Sequence, residues 1–415
     1  MADIEVYIDL QHQTKMVGTM YCNVIRGNET ISFSYDESWL KDTCAFSLEP
    51  ALMLTKGVFS PIVGQRIFGS LGDSAPDTWG RRLMQRAERR QANQENRQVR
   101  TLTESHYLLG VADETRLGAL RFRRIGEDIF QSPMASGVPA IIELGKLLQI
   151  TERIVRDEET DDDFRLIFAP GSSLGGARPK ASILDQYGHL SIAKFPKDND
   201  DYSIETWEAI ALTLARQAQI ETADFQLLTV ANKKVFLSKR FDRQQSQRIP
   251  FLSAMAMMHA KDGERGSYPE MVDALTRFGA QAKKDVHQLY WRVVFNVLIS
   301  NVDDHLRNHG FLWQNNHGWR LSPAYDLNPV PSDVKARILS TNIDLDEGTC
   351  DIDLLLSAAG FFNLSLKQAH TIIKEVASVT KTWRQVAINI GANPREIDRM
   401  SSAFEHDDLK RALTF

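Results

Sequence analysis

Asp303, Asn308 and Asp326 form a set of polar residues whose order along the chain suits phosphoryl transfer. Four residues separate Asp303 from Asn308, which is the D-x-x-x-x-N spacing of a kinase catalytic loop. Two short apolar runs joined by a polar, glycine-containing turn follow, and they predict a β-hairpin that leads to Asp326. In phosphoryl transfer one carboxylate orients the attacking hydroxyl, while an Asn and a second carboxylate hold Mg²⁺ against the nucleotide phosphates. Oxygen ligands suit Mg²⁺, because it is a hard cation that takes one or two carboxylates and keeps several waters.

Taken singly, each of these residues has an ordinary structural interpretation, because Asp and Asn in loops commonly cap helices or form turns. The ordered set favours the site, since the strand and turn context agrees with the motif. The segment resembles the HipA family, the serine/threonine kinase toxins of bacterial toxin–antitoxin pairs. The hallmark of that family is a D-x-H-x-[KR]-N loop followed by a Y-D-[IL] acid, found here at residues 303–308 and 325–327. The resemblance implies that Asp303 is the catalytic base or orienting acid, and that Asn308 and Asp326 hold Mg²⁺.

A glycine-rich loop occupies residues 171–180, between apolar runs that are interpreted as strands at 166–168 and 181–184. Glycine lets a backbone approach phosphates closely, because it has no Cβ and adopts φ > 0 freely. The loop is neither G-x-G-x-x-G nor a Walker A loop, but it matches the S-x-G-G-A-x-P-K loop of the HipA family. The resemblance implies that the kinase inactivates itself by phosphorylating Ser173, with Ser172 as an adjacent second candidate.

A strand predicted at 190–196 places Lys194 among apolar neighbours. In protein kinases, the strand that follows the glycine-rich loop region carries the lysine that pairs with the α- and β-phosphates. The structural alternative is a lysine whose head reaches solvent at the sheet edge. In the helix predicted at 205–218, Glu208 corresponds to the glutamate of the family's N-E-x-x-x-x-x-L-A motif, and it could pair with Lys194. Glu205, three residues earlier on the same helix face, is the competing candidate.

Strands are predicted at 225–230 and 235–243, and the second ends in the R-F-D-R box of the family. The resemblance places this box where a kinase sheet gives way to its hinge, so that backbone groups around residues 238–241 would take the adenine. The family commonly has Glu before the box and this chain has Lys239, which leaves any side-chain role there open. The residues that the resemblance assigns to ATP are Lys194, Gly175, Gly176, Ala177, Lys239, Phe241 and His305.

Outside the site, the sequence predicts several further elements. Short alternating runs at 4–35 predict a small antiparallel sheet, and Asp77 can start a helix. The arginine-rich stretch from 86 to 100 is interpreted as a solvated helix face or mobile loop, and the acidic run 157–163 as a solvated turn. An amphipathic helix is predicted from 364 to 389.

Composition excludes several classes of function. Of 415 residues, 43% are hydrophobic and 25% are charged, which are ordinary values for globular domains. A net charge of −5 with a pI near 6.1 gives no bulk electrostatic case for nucleic-acid binding. The N-terminus lacks the basic and apolar regions of a signal peptide, and no apolar run reaches the ~18 residues of a membrane span. The three cysteines are far apart and form no C-x-x-C pair, so we expect buried thiols in a cytoplasmic protein.

The predicted fold is α+β: a two-lobed protein-kinase-like fold of the HipA type, with an N-terminal α/β subdomain and a mostly helical C-terminal lobe. The predicted boundaries are 1–125 for the N-terminal domain, 126–164 for a linker and connecting helix, 165–243 for the kinase N-lobe and 244–415 for the helical C-lobe. The resemblance implies an ATP- and Mg²⁺-dependent kinase whose protein substrates include aminoacyl-tRNA synthetases. It also implies a helix-turn-helix DNA-binding antitoxin as partner, with DNA bound only through that antitoxin and no membrane association.

Two other interpretations stay open. A catalytically silent scaffold or co-repressor could bind an antitoxin without using ATP. The intact site residues argue against it, namely Lys194, Asp303, Asn308 and Asp326. A small-molecule or lipid kinase would share the chemistry of the site and differ only in what enters the cleft. Consumption of ATP by the purified protein separates the scaffold from either kinase.

Overall fold

The computed structural model describes residues 3–130, 138–168, 178–314 and 317–415, apart from the side chains of residues 165 and 168. The strands are β1 (Ile4–Leu10), β2 (Gln13–Ile25), β3 (Asn28–Tyr35), β4 (Leu120–Arg124), β5 (Lys180–Leu184), β6 (Leu190–Lys194), β7 (Phe225–Val230), β8 (Lys233–Lys239), β9 (Arg243–Gln244), β10 (Gln247–Arg248), β11 (Phe251–Ser253), β12 (Gly310–Trp313) and β13 (Trp319–Leu321). The helices are α1 (Glu37–Leu40), α2 (Gly69–Gly72), α3 (Thr78–Gln94), α4 (Glu104–Leu109), α5 (Leu144–Val155), α6 (Asp161–Phe168), α7 (Ile204–Gln217), α8 (Ala254–Met257), α9 (Tyr268–Phe278), α10 (Ala282–Leu298), α11 (Ile352–Ala358), α12 (Leu366–Thr380), α13 (Trp383–Ile390), α14 (Pro394–Phe404) and α15 (Asp407–Ala412). Within these described ranges, no helix combines the length and apolar character that a membrane crossing requires.

The chain divides into two compact units. The first comprises Met1–Asn199 and Leu228–Lys261, and the second comprises Asp200–Leu227 and Asp262–Phe415. The loop with Asp303 therefore belongs to the second unit, whereas the strand with Lys194 belongs to the first. The finer domain boundaries expected from the sequence stay predictions.

The first unit opens with an antiparallel sheet in the order β3-β2-β1-β4. Ile4, Val6 and Ile8 are fully buried and alternate with half-buried residues along β1, because successive side chains of a strand point to opposite faces. Strand β4 closes the sheet by pairing with β1, so that Ile4 lies opposite Arg124. The small antiparallel sheet predicted for this part of the chain is confirmed.

A second sheet has the order β5-β6-β8-β7. Its pairing places Ala181 opposite Ala193, and Ala193 opposite Leu237. These three side chains form a buried cluster with Leu144 and Leu148 of α5. Burial of this apolar face against α5 holds the sheet in place. The candidate phosphate-binding lysine, Lys194, lies on the opposite face of the sheet.

The strand predicted at 166–168 is wrong, because these residues end helix α6. Phe164 and Ile167 are buried in one cluster with Trp79 of α3 and Ile150 of α5. A short apolar run occurs both in buried strands and in buried turns of helix. A run of this length shows no periodicity that would distinguish the two.

The solvated turn predicted at 157–163 is right for residues 157–160, which form a largely exposed turn, and wrong for residues 161–163, which begin α6. Arginines of the same unit pair with several of its acidic side chains. Arg86 of α3 forms an ion pair with Asp157, and Arg90 forms one with Asp161. The further pairs are Arg153 with Asp163, and both Arg97 and Arg100 with Glu88. The arginine-rich run is thus an ion-paired surface of α3 and of the segment after it.

In the second unit, α10 runs directly into the candidate catalytic loop. Tyr290, Val293 and Leu298 are fully buried along this helix, which anchors the start of the loop in the core. Strands β12 and β13 form the predicted hairpin, with Phe311 opposite Leu321. The helix, loop and hairpin therefore follow one another in the predicted order.

The single helix predicted from 364 to 389 is wrong in one respect, because α12 and α13 occupy it as two helices. The break between them precedes Trp383, which is 2% exposed and stacks on Phe404 with ring centroids 4.6 Å apart. Burying an aromatic side chain removes roughly 150–250 Å² of surface from water. The burial of Trp383 therefore stabilises the arrangement of two helices over that of one continuous helix.

Candidate active site

The candidate catalytic loop begins where α10 ends. Asn301 is fully buried, and its backbone N–H donates to the Asn296 carbonyl at 2.9 Å, which turns the chain out of the helix. The Asp303 side chain is 69% exposed, and Lys335 Nζ lies 3.7 Å from its carboxylate. An exposed carboxylate on a loop anchored by a buried helix is available to an incoming hydroxyl.

Asn308 closes this loop. Its Nδ2 donates to the Asp303 carbonyl at 3.1 Å, and the residue is 7% exposed. A short 3₁₀ turn, Leu306–Asn308, delivers it, with the Asn308 N–H donating to the carbonyl of the half-buried His305 at 2.8 Å. The spacing seen in the sequence thus corresponds to a closed turn in which the Asn308 amide fixes the backbone of Asp303.

The hairpin returns Asp326 to the flank of this turn. Because β12 and β13 are antiparallel, the start of the first strand lies beside the end of the second. Tyr325 Oη donates to the Arg307 carbonyl at 2.7 Å, so the sequence neighbours of Asp326 and Asn308 are in direct contact. Asp326 has φ +56°, a left-handed conformation that Asp tolerates because its short side chain can bond locally.

A chain of asparagine amides, which was not predicted from the sequence, holds this segment. Asn328 Nδ2 donates to Asp326 Oδ1 at 3.0 Å, and the Asn328 N–H donates to Asn301 Oδ1 at 3.1 Å. Asn301 Nδ2 donates in turn to Asn296 Oδ1 at 3.0 Å. The signal that could have found it is the recurrence of Asn on either side of the two candidate acids.

Asp304 has a structural role that was not predicted from the sequence. The residue is 1% exposed, and its Oδ2 accepts a hydrogen bond from Tyr268 Oη. His309 Nε2 lies 2.9 Å from Asp304 Oδ1, without the alignment of a hydrogen bond. Asn296 Nδ2 donates to Tyr268 Oη at 2.9 Å, which joins this cluster to the amide chain. Burial and the Asp304 carboxylate raise the pKa of Tyr268 well above its ordinary value, so its hydroxyl stays protonated and donates.

In the first unit, Lys194 ends β6 on the face of the sheet that lies opposite the α5 core. It pairs with Phe236 of β8, and its Nζ lies 5.6 Å from the centre of that ring. Lys180 of β5 is its direct cross-strand neighbour. Like charges in such a pair repel, and Asp77 offsets this because its Oδ2 lies 2.7 Å from Lys180 Nζ, with both side chains 3% exposed.

Lys239 lies on the other face of this sheet. Side chains alternate along β8, so Lys239 shares a face with Leu237 of the α5 core, whereas Phe236 shares the face of Lys194. Lys239 lines a cavity of about 660 Å³ together with Arg243. If a nucleotide is bound at Lys194, the backbone of Lys239 and not its side chain would therefore have to make any contact with it.

The R-F-D-R box is a buried charge cluster within the first unit. Asp242 is fully buried, accepts two hydrogen bonds from Arg240 at 2.6 and 2.5 Å, and accepts one from the Gly118 N–H at 2.7 Å. Burial alone would raise the pKa of Asp242, but Arg240 and Arg243 outweigh it and hold the pKa at about 2. These charges tie the end of β8 to the segment that leads into β4.

The remaining predicted site residues are placed as follows. Phe241 packs against Phe251 with ring centroids 6.3 Å apart. Glu208 and Glu205 of α7 are 2% and 1% exposed in the second unit, and the pairing of either with Lys194 stays a prediction. The predicted residues that lie outside the described part of the chain are Gly175, Gly176, Ala177, Ser172 and Ser173.

Mg²⁺ is the metal that the resemblance implies, and the donors present fit it. Among the described residues, no group of three or more His, Cys, Asp or Glu side chains could hold a metal ion. Asn308 and Asp326 supply one amide oxygen and one carboxylate. Such a sparse set of hard donors suits Mg²⁺, which completes its shell with nucleotide phosphates and water.

Comparison with known proteins decides the family. The model of the HipA-like C-terminal domain matches residues 172–383, just over half of the chain. The chain belongs to the HipA family. No curated protein sequence matches this HipA-family chain.

Solved structures support the same fold for this HipA-family protein. The structure of the HipA toxin–antitoxin system of Shewanella oneidensis MR-1, with HipB and operator DNA, matches with a TM-score of 0.65 and 16% identity, over 99% of this chain and 97% of that chain. The proinflammatory kinase CtkA of Helicobacter pylori covers 57% of this chain and 94% of its own at 17% identity, and its TM-score of 0.38 is too low to bear on this protein. The predicted α+β fold of the HipA type is confirmed.

Proposed function

We propose that this HipA-family protein is an ATP- and Mg²⁺-dependent serine/threonine protein kinase and the toxin of a toxin–antitoxin pair. The observation that carries the proposal is the closed turn between Asp303 and Asn308, to which the segment of Asp326 is bonded through Tyr325. Phosphoryl transfer depends on positioning and electrostatics, and these parts stand in the order that it requires.

In the proposed reaction, Asp303 orients the substrate hydroxyl and accepts its proton, a role that its exposed carboxylate permits. Asn308 and Asp326 hold Mg²⁺, and the ion when bound supplies positive charge against the nucleotide phosphates. Lys194 binds the α- and β-phosphates through its ammonium group. Asp304 and Tyr268 do not touch substrate, and they keep the backbone of the loop in place.

The proposed partner is a helix-turn-helix DNA-binding antitoxin. The solved Shewanella HipA structure contains HipB and its operator DNA, which supports a partner of that kind here. A net charge of −5 favours DNA contact through the antitoxin rather than through this chain. The proposed substrate class is an aminoacyl-tRNA synthetase, which rests on the family resemblance alone.

Brief expression in cells followed by phosphoproteomics tests the proposal. Asp303→Asn is the matched control, because it keeps the shape of the side chain and removes the base. We expect new phosphoserine or phosphothreonine sites with the wild type and not with this variant. Purified protein that consumes no ATP would indicate a scaffold or co-repressor, and ATP consumption without any phosphoprotein would indicate a small-molecule kinase.

Self-inactivation through Ser173 is part of the proposal. Phosphorylation adds roughly −1.5 to −2 charges at neutral pH, and in a loop over the nucleotide this charge would repel the phosphates and push the loop out. Incubation with ATP and Mg²⁺, phosphosite mapping by mass spectrometry, and nucleotide titration before and after measure this. Phosphate on Ser173 with unchanged ATP affinity would refute the switch, and no phosphate on Ser172 or Ser173 would refute the site.

A further inference from the structure

Asn328 carries a buried oxygen that has no hydrogen-bond partner in the described part of the chain, next to the carboxylate of Asp326. Its Nδ2 donates to Asp326 Oδ1 at 3.0 Å. Its Oδ1 is buried and accepts no hydrogen bond from any of the described residues. Chemistry fixes which amide atom is which, because an ionised carboxylate only accepts hydrogen bonds and must face the NH₂ group.

A buried hydrogen-bond acceptor without a partner destabilises the folded protein, so its presence here needs an explanation. A buried oxygen without a partner costs about 1–3 kcal/mol, and native structures usually satisfy such atoms with protein, water or an ion. Asn328 is also held in place, because its backbone N–H donates to Asn301 Oδ1 at 3.1 Å and Asn301 is fully buried. The protein therefore maintains an unsatisfied hard oxygen beside a candidate metal-binding acid.

We propose that the side-chain oxygen of Asn328 is a further donor to the divalent cation held by Asn308 and Asp326, with Asn301 as its positioning residue. The proposal rests on the proposed function and deepens it at the same site. A neutral amide oxygen is a donor that Mg²⁺ accepts, and it adds no charge that would compete with the phosphates. One side chain would thus supply a ligand through its oxygen and orient the carboxylate of Asp326 through its nitrogen.

The competing occupant of this position is an ordered water that donates to the oxygen. A water would leave the preference of the site for one metal ion over another unchanged. Ion preference is therefore the property that separates a ligand from a residue that only orients Asp326.

The test replaces the oxygen by sulfur. Asn328→Cys is compared with Asn342→Cys, because Asn342 lies in the same unit, also has a buried side-chain oxygen without a partner among the described residues, and donates from Nδ2 to the Leu345 carbonyl instead. Binding of a non-hydrolysable ATP analogue is titrated by calorimetry with Mg²⁺, Mn²⁺ and Cd²⁺, so that the readout does not depend on turnover.

We expect Asn328→Cys to need at least ~10-fold more Mg²⁺ for half-maximal nucleotide binding, equivalent to about 1.4 kcal/mol. Cd²⁺ should restore binding, since a thiolate prefers softer ions. Asn342→Cys should behave as the wild type with every ion. If the cysteine variant does not fold, Asn328→Asp should instead lower the Mg²⁺ requirement, because it keeps a ligand oxygen and adds charge, whereas loss of the Nδ2 bond to Asp326 alone would raise the requirement.

An unchanged Mg²⁺ requirement, or a loss that Cd²⁺ does not restore, would overturn the assignment of Asn328 as a ligand. Asp326→Asn should raise the requirement in either case, because it removes a full charge from the ion's shell. Wild-type protein that binds the analogue equally well with and without divalent ions would refute the proposed function itself. The two failures are therefore distinguishable.

Discussion

Asp303 and Asp304 are adjacent acids in opposite environments. The Asp303 side chain is 69% exposed, whereas Asp304 is 1% exposed and accepts a hydrogen bond from Tyr268. A buried carboxylate with partners is fixed in one position, so Asp304 anchors the loop, whereas Asp303 has the exposure that the proposed catalytic role requires. Sequence spacing alone cannot separate the two roles, because burial decides them.

Replacing Asp303 by Ala should lower kcat at least ~10²-fold, the scale of a positioned acid–base group. The melting temperature of the Asp303→Ala variant should change little, because an exposed side chain contributes little packing. The comparison variant Asp304→Ala should instead lose stability, about 1–3 kcal/mol, because it leaves the buried Tyr268 hydroxyl without this acceptor. Steady-state assays and thermal melting measure both, and near-normal turnover in Asp303→Ala would refute the assignment of Asp303 as the base.

At the scale of elements, one buried ion pair joins α3 to β5. Asp77 Oδ1 caps α3 by accepting from the Gly80 N–H at 2.8 Å, while its Oδ2 lies 2.7 Å from Lys180 Nζ. Because Lys180 lies opposite Lys194, the same carboxylate also limits repulsion between the two ammonium groups. The start of α3 is thus coupled to the strand beside the candidate phosphate-binding lysine.

Asp77→Asn keeps the oxygen that caps α3 and removes the charge that faces Lys180. We expect the free energy of unfolding to fall by about 3–5 kcal/mol, because a buried ammonium loses its carboxylate. Adding Lys180→Met should recover much of the loss, which a double-mutant cycle in urea would measure. Asp407→Asn, at a side chain that is 98% exposed, is the control and should stay within about 0.5 kcal/mol of the wild type. A similarly small effect of Asp77→Asn would contradict the coupling.

At the scale of the whole molecule, two buried carboxylates give stability opposite dependences on pH. Burial raises the pKa of Glu49 to about 7, an effect to which Asp73 adds and which the hydrogen bond from the Ser70 N–H opposes. Asp242 has a pKa held at about 2 by its arginines. Asp242 therefore contributes stability above the ordinary carboxyl range that is lost as pH falls toward 2, whereas Glu49 costs stability as pH rises toward 7.

Glu49→Gln should stabilise the protein at pH 8 and have little effect at pH 4. At pH 8 wild-type Glu49 is ionised in a buried position, whereas near pH 4 it is protonated when folded and largely protonated when unfolded. We expect a gain on the order of 1–3 kcal/mol at pH 8, from 1.36 kcal/mol for each unit of pKa shift. Thermal melting across this range measures it, and an equal gain at both pH values would contradict the raised pKa.

Local sequence patterns were sufficient to predict several individual parts of the fold and of the candidate site. The hairpin that leads to Asp326, the turn between Asp303 and Asn308, and the cap of α3 by Asp77 were all predictable. Each depends on periodicity, turn chemistry or capping within a few neighbouring residues, so the information lies in the local pattern. The family resemblance added the order of those parts along the chain.

The way in which these parts combine depends on long-range contacts in the folded chain. The run at 166–168 ends a helix because its cluster with Trp79 lies far away in the sequence, and Lys239 faces away from Lys194 because strand pairing sets the register. The bond between Asn328 and Asn301, which holds a second candidate donor beside Asp326, joins residues that no local pattern connects. Burial and long-range contacts create these features, and both come into being only when the chain folds.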